Sequence, residues 1–470
     1  MLGTDAAAIV QLRASLAAAS YDSTGFKRAL GHEGYVPKAG ERPAALAALD
    51  PADPLAVLIP LFLLELPVAR ADAERVVDIA DAVALGLVED GPEVRPLVRL
   101  VPSGHAVFVS DLEHGGGHEH VLGVTPSSAL LGNLASRHPV ERALDLGTGC
   151  GIQAYLLAKH AEQIVATDVN ERALDFARFN LALNGAAGVE LRGGSWLEPV
   201  AGERFDLVVC NPPFVISPES RYTYRDSGLP ADELVRRLVA DLPSVLEEGG
   251  TAQLLLSWIV RAGESWADPV ARWLEGNGCD ALLLRYRFDS PRGYAEHWNR
   301  GDDAAIQSWV EWYEELGAEA IAYGALAIRR RGGAHGFVTA EVASDRLEPG
   351  GDHVHRILEA QALLADATDD DLLDRGFALT HDHLLEQQLV VRDGEWEVAA
   401  AVLRLQEGLG FEAGIDAFTA SLLARLDAGI TLRAALEEAV AAVGRPRAGL
   451  HAAALPLVRG MVELGFLRIR

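Results

Sequence analysis

Apolar positions in the first hundred residues recur every three or four places, the period of a helix with one buried face. The spacing predicts helices over 6–19, 23–30, 44–48, 54–64 and 71–85, punctuated by Pro51, Pro54 and Gly86. Val88-Glu89-Asp90-Gly91 reads as a tight turn before a strand-like run over 94–101. Helices followed by a small hairpin predict a winged-helix-like domain over 1–101. Strands over 105–111 and 120–124 are expected to pair around a tip rich in glycine and histidine. Thr125-Pro126-Ser127-Ser128 then caps a helix reaching about Ser136.

From Ala143 the pattern changes. Short continuous apolar runs, the mark of strands buried on both faces, alternate with helical spacing. Strands are predicted over 143–146, 163–167, 189–192, 205–210, 251–257, 281–288 and 320–329. Helices fall over 152–159, 171–184, 231–246, 268–276 and 308–316. Gly332-Gly333 closes this region, giving a domain over 102–333. From 334 to 470 the pattern is helical again, with one strand-like passage over 383–398 and a short terminal strand. The expected fold class is α/β: a doubly wound, Rossmann-like sheet of seven strands, the last antiparallel, between helical, winged-helix-like domains at both ends.

Composition narrows the partners. Hydrophobic residues are 49% and charged residues 23% of the 470, an ordinary globular balance. A net charge of −27 argues against a long phosphate backbone as main partner, because such binding draws on a basic face. The three cysteines, Cys150, Cys210 and Cys279, are widely spaced and form no disulfide or zinc pattern. A reducing, cytoplasmic location is therefore expected. No basic-then-apolar leader opens the sequence, so no signal peptide is expected. The most apolar run, 54–68, holds Pro60 and Glu65 and is too short to span a bilayer. His114, His118 and His120 stand near Glu113 and Glu119, and His381-Asp382-His383 forms a second group. Both read as solvated loop chemistry and no metal ligand is assigned, with metal binding by the 114–120 loop left open.

The candidate chemistry gathers where strands end, the edge at which open α/β sheets bind ligands. After the first strand comes Asp145-Leu146-Gly147-Thr148-Gly149-Cys150-Gly151. Its glycines permit positive φ and close approach of a ligand to the backbone. Ile152 stands where a dinucleotide loop would place its third glycine, and no Gly-Lys-Ser/Thr follows. The second strand ends in Asp168, suited to accept from ribose hydroxyls, with Asn170 the better helix cap. The third ends in Gly193-Gly194-Ser195-Trp196, near an expected adenine edge. The fourth ends in Asn211-Pro212-Pro213-Phe214. Two prolines there fix the turn and remove donors. The Asn211 side-chain oxygen and the Pro212 carbonyl are left as acceptors for the N–H groups of a planar nitrogen, over which Phe214 can stack.

Together, Asp145 to Gly151, Asp168 and Asn211 to Phe214 resemble the class I S-adenosylmethionine-dependent methyltransferases over about 125–331. The resemblance implies S-adenosylmethionine as cofactor, with Asp145, Gly147, Thr148, Gly149 and Gly151 along its methionine and ribose. It implies Asp168 at the ribose, Ser195 and Trp196 at the adenine, and Asn211 bordering both cofactor and acceptor. Asn211, Pro212, Pro213 and Phe214 would form the catalytic turn. Within the class, Asn-Pro-Pro-aromatic is similar to glutamine methyltransferases of release factors and to enzymes methylating guanine in ribosomal RNA or adenine. Phe214 replaces the tyrosine of typical release-factor enzymes and leans towards the guanine group. The acidic total leans towards a protein amide. Tyr222, Tyr224 and Arg225, in the loop after the fourth strand, would grip the acceptor. A small-molecule methyltransferase and a cofactor-sensing regulatory protein are the other readings. The acceptor, whether protein or RNA, and the oligomeric state are not written in the sequence.

Overall fold

The computed structural model describes residues 2–31, 40–113, 117–219, 229–333, 335–342, 349–443 and 450–470. The chain divides into two compact units. One comprises Met1–Ala129 with Pro139–Val235, the other Leu130–His138 with Arg236–Arg470.

The first unit is built on four parallel strands: β1 (Val140–Leu146), β2 (Ala161–Asp168), β3 (Val189–Gly193) and β4 (Phe205–Cys210). Their order is β4-β1-β2-β3. The chain moves outward from β1 to β3, then returns to the far side of β1 as β4. That reversal is a topological switch point, where a crevice opens at the carboxyl ends of the strands. Register sets those ends level, with Asp145 opposite Ala166 on β2 and Val209 on β4. Ala143 and Leu144 of β1, and Leu207, Val208 and Val209 of β4, are fully buried.

Helix α1 (Ile152–Leu157) follows β1, and α2 (Glu171–Asn184) follows β2. Local chemistry fixes both ends of α2. The Asn170 side chain accepts from Arg172 N, and Gly185 closes the helix at φ +69°. Arg13, from the helix Ala6–Ala18, donates through Nε to Leu183 O at 2.5 Å. A cation thus meets the carbonyl end of the α2 dipole.

The lead-in strands differ from expectation. Arg99–Ser103 pairs with Ala106–Ser110, whereas 120–124 forms no strand. Gly104, at φ +60°, supplies the tight turn that lets these nearer segments meet. The run expected over 94–101 is split, because Glu93–Pro96 pairs instead with Val88–Glu89 and Val68–Ala69.

Two asparagines one turn apart on α2 then hold Ala106–Ser110. Asn180 Oδ1 accepts from Val109 N at 2.7 Å, and its Nδ2 donates to Val109 O at 2.8 Å. Asn184 makes the same pair with Val107, at 2.9 and 2.8 Å. Each amide stands in for a neighbouring strand. Asn180 Nδ2 also donates to Cys150 O at 2.9 Å, so the clamp reaches the glycine loop. Asn180 is fully buried. Asn180→Leu orphans several buried backbone groups and is expected to cost about 2 kcal/mol. A urea midpoint unchanged from the parent protein would refute the clamp.

The second unit carries β5 (Leu246–Arg261), β6 (Cys279–Asp289), β7 (Ala318–Arg330) and β8 (Phe337–Glu341), in the order β5-β7-β6-β8. β7 runs antiparallel to both neighbours, and β8 runs parallel to β6. The two units therefore hold eight strands of this kind rather than seven. The extra one, β8, follows Gly332-Gly333, where the domain was expected to close. The expected helix over 231–246 is shorter, Glu233–Asp241. Pro243 lies in a 3-10 turn, and Leu246 already opens β5.

Further along are helices Gly351–Asp366, Asp369–Leu373, Ala417–Asp427, Leu432–Val443 and Leu450–Glu463. The strand Phe377–Leu379 pairs with the terminal Leu467–Ile469. The single strand expected over 383–398 is two, His383–Arg392 and Glu395–Leu405. They turn at Asp393 and Gly394, whose φ values are +49° and +86°, the signature of a tight hairpin. Among the described residues, no helix is long and apolar enough to cross a membrane.

Candidate active site

Adjacent strands β1 and β4 each end in a buried acceptor. Asp145 is 1% exposed. Its Oδ2 accepts from Thr148 Oγ1 at 2.6 Å and from Ala154 N at 2.9 Å. Its Oδ1 is buried with no hydrogen-bond partner. Beyond β4, Asn211 Oδ1 is likewise buried and unpartnered among the described residues. Among the described residues, the Asn211 Nδ2 makes a long contact, 3.5 Å, to Ser127 Oγ. Buried polar atoms are usually satisfied, and these two acceptors, at the carboxyl ends of adjacent strands, are open to the donors of a ligand.

The glycine loop runs between them. Gly147, Gly149 and Gly151 have φ values of +77°, +54° and +86°, a region costly for side chains. Gly147 N and Thr148 N donate to Thr167 O at 2.9 and 2.8 Å, fixing the loop to β2. A Cβ on Gly151 would stand 3.1 Å from Ala177 Cα, whereas at Gly147 and Gly149 it would meet nothing within 4 Å. Gly151 thus serves packing against α2. The other two glycines line open space, a backbone cradle that a ligand can approach.

Asp168 faces the same loop. Its Oδ2 accepts from Gly149 N and its Oδ1 from Asn170 N, both at 2.9 Å. Asn170 takes the helix cap, as its position suggested. A carboxylate has about four acceptor positions, so each oxygen keeps capacity for a ligand hydroxyl. Gly194 N donates to Asp168 O at 3.0 Å, which brings the end of β3 alongside. There Ser195 is exposed and Trp196 is half-buried, with φ +60°. A left-handed tryptophan is a strained conformation of the sort found at ligand sites.

Pro212 is buried, while Pro213 and Phe214 are half-buried. The structure therefore brings Asp145, Gly147, Thr148, Gly149, Gly151 and Asp168 into one hydrogen-bonded loop system. Asn211 stands at the end of the neighbouring strand. Tyr222, Tyr224 and Arg225 lie outside the described residues, as does His114. Among the described residues, no three His, Cys, Asp or Glu side chains are grouped to hold a metal.

Two participants escaped the sequence. Ser127 was read only as part of a cap, yet its hydroxyl is the one Asn211 reaches, 84 residues away. Thr125 Oγ1 holds Ser127 Oγ and Ser128 Oγ at 2.9 Å each. Buried Gln153 donates to Ser128 O at 2.7 Å, tying this turn to α1. A polar residue on the buried face of a short helix was the available signal.

Burial dominates the electrostatics of the site. It pushes the Asp145 carboxyl up to about 7, helped by the charge of Asp168 and opposed by the bonds from Thr148 and Ala154. Burial also raises Asp168, against its backbone N–H bonds. The folded Asp145 thus holds its proton more tightly than the unfolded chain does. Its contribution to stability is full below about pH 4 and is lost as pH climbs towards about 7. Asp145→Asn removes that loss. At pH 8, without ligand, the variant is expected to be more stable than the parent by about 2 kcal/mol, with a flatter pH profile. Parallel profiles between pH 4 and 8 would contradict this.

Comparison with known proteins agrees with the geometry. Residues 124–258 match the family described as methyltransferase small domain. Residues 18–97 and 356–469 match two families described only as domains of unknown function. The chain is 36% identical over 130 residues to a release factor glutamine methyltransferase of Xylella fastidiosa, covering 25% of this chain and 47% of that protein. It is 32% identical over 151 residues to ribosomal RNA small subunit methyltransferase C of Alcanivorax borkumensis, covering 32% and 40%. It is 35% identical over 128 residues to a ribosomal protein uL3 glutamine methyltransferase of Bradyrhizobium diazoefficiens, covering 24% and 40%. The chain thus spans less than half the length of each.

Proposed function

We propose that this protein is an S-adenosylmethionine-dependent N-methyltransferase acting on a planar nitrogen, with a glutamine-type protein amide as the favoured acceptor. The observation that carries the reading is the pair of unpartnered buried oxygens, Asp145 Oδ1 and Asn211 Oδ1, at the ends of adjacent strands. The relatives that are glutamine methyltransferases support it.

The residues suit the cofactor. Gly147 and Gly149 leave space against bare backbone, and Thr148 shares the loop. Gly151 turns the chain into α1, and Asp168 offers lone pairs to ribose hydroxyls. Ser195 and Trp196 border the adenine. S-adenosylmethionine, when bound, supplies an electrophilic methyl group on a sulfonium.

The chain's part in the reaction is positioning. Asn211 Oδ1 and the Pro212 carbonyl accept from the N–H groups of the acceptor. Pro213 withholds a donor from the turn. Phe214 presents an apolar face to the planar group. Conjugation makes an amide or aromatic amine a poor nucleophile, so held N–H groups and an aligned lone pair contribute much of the rate. Tyr222, Tyr224 and Arg225 complete the acceptor side of this reading. The three-part organisation, 1–101, 102–333 and 334–470, is in keeping with the three matched segments. The outer parts are assigned as winged-helix-like modules around the catalytic domain. The three cysteines are unpaired, which suits a cytoplasmic enzyme.

A nucleobase amine of ribosomal RNA is the second reading. Phe214 and the similarity to ribosomal RNA small subunit methyltransferase C favour it. Incubation with methyl-labelled S-adenosylmethionine and a host extract decides between them. Protease-sensitive, nuclease-resistant label supports the protein amide, and the reverse supports RNA. Label in neither fraction, with no heat of cofactor binding, would overturn both.

A further inference from the structure

Arginines in this chain have an abundance of carboxylates to choose from, since its 68 Asp and Glu outnumber its 41 Lys and Arg. Most take one. Arg331 pairs with Asp280, Arg433 with Asp374 and Arg459 with Asp369. Arg356 and Arg375 form no ion pair among the described residues, nor do Arg329 and Arg468, although the bonds from Thr368 and the charge of Arg375 lower the Asp371 carboxyl. The Arg356 Nε is buried with no hydrogen-bond partner among the described residues.

Both arginines line one cavity of about 750 Å³, together with Arg329 and Arg468. Four separate stretches of the second unit supply them. Arg329 lies in β7, Arg356 in the helix Gly351–Asp366, Arg375 just after Asp369–Leu373 and Arg468 in the terminal strand. Arg329 Nε donates to Gly249 O at 3.3 Å, and Arg468 Nη2 lies 3.3 Å from His381 Nε2. Neither of these contacts neutralises charge on the guanidinium.

Three carboxylates share the same lining. Glu359 pairs with His355 at 3.2 Å, and Asp366 lies 3.9 Å from Arg331. Asp371 accepts from Thr368 N and Oγ1 at 3.0 and 2.6 Å, closing a capping box. Leu363, Val462 and Ile469 add an apolar wall.

Guanidinium forks match the oxygens of phosphate and carboxylate. Four arginines against three carboxylates in one lining suit a phosphate monoester, which carries nearly two charges and three terminal oxygens. The volume is that of a small-ligand pocket, and the net charge of −27 repels a long polyanion. We propose that this cavity binds a small phosphate ester of nucleotide size, the phosphate held by Arg356 and Arg375 and the carbon body by the apolar wall. Its lining belongs to the second unit alone, so it is a site additional to the methyl-transfer reading and independent of it.

Calorimetry on the full chain tests this. Guanosine diphosphate is the probe, with pyrophosphate, guanosine, citrate and a single-stranded RNA as companions. Guanosine diphosphate is expected to bind, pyrophosphate to bind more weakly, and guanosine and citrate at least about tenfold more weakly than guanosine diphosphate. Arg356→Gln and the more exposed Arg375→Gln are each expected to weaken guanosine diphosphate about tenfold, with unfolding midpoints near that of the parent. Asp168→Ala is expected to leave that affinity unchanged. Absence of binding by both phosphates, or guanosine binding as tightly as its diphosphate, would overturn the proposal. So would citrate as the tighter ligand, RNA as the tighter ligand, or full binding retained in both arginine variants. Loss in Asp168→Ala alone would assign the nucleotide to the candidate active site and end the proposal equally.

Discussion

Asn211→Ala is expected to lower methyl transfer about 10²- to 10³-fold while S-adenosylmethionine affinity changes by less than about fivefold. The size follows from what the amide does in the structure. Its Oδ1 is buried without a donor, so it is an acceptor held in readiness rather than a strut. Its Nδ2 contact to Ser127 is long, at 3.5 Å, and contributes little to folding. Alanine therefore removes an unsatisfied group and should leave the unfolding midpoint near that of the parent. Single-turnover transfer of labelled methyl, at saturating cofactor, reads the effect. A rate within tenfold of the parent would remove Asn211 from the reaction and with it the claim of a positioned nitrogen.

Asp168→Ala is expected to weaken S-adenosylmethionine binding by about 10²-fold or more, from two lost charge-assisted bonds to ribose hydroxyls. Part of the loss is indirect. Gly149 N and Asn170 N both donate to this carboxylate, so alanine also frees the glycine loop. Asp168→Asn separates the two contributions. Its amide oxygen can keep one backbone donor while the negative charge is gone, and an intermediate affinity is expected. Calorimetry reads both variants. If Asp168→Ala binds the cofactor as tightly as the parent, the ribose assignment fails, whatever the state of the loop.

What the sequence made legible was local. Glu171–Asn184 was readable to its ends, because Asn170 and Gly185 are a cap and a stop written beside an apolar stripe. The glycine loop and Asp168 were readable because each follows a strand of continuous apolar residues. The hairpin at Asp393-Gly394 is marked by a dipeptide typical of such turns, but the strand-like pattern continues on both sides of it and reads as one strand. The pairing of Arg99–Ser103 with Ala106–Ser110 was missed because a glycine turn beats a longer loop whose tip looked more like chemistry. Other features are nonlocal by nature. Nothing in the neighbourhood of Ser127 names Asn211, and no short stretch predicts that Arg329, Arg356, Arg375 and Arg468 share one cavity. Side-chain proximity across such separations is set by the finished fold, not by periodicity.

The asparagine clamp bears on the order in which the chain can be made. Ala106–Ser110 leaves the ribosome before the residues that hold its outer edge. Asn180 comes 71 residues after Val109, and Asn184 comes 77 after Val107. Until α2 is synthesised, the backbone groups of Val107 and Val109 have only water or passing strands to bond with. The opening segment therefore completes its packing late, once the centre of the first unit has been translated. A nascent chain stopped short of Asn184 carries an uncovered strand edge, the kind of surface that chaperones bind.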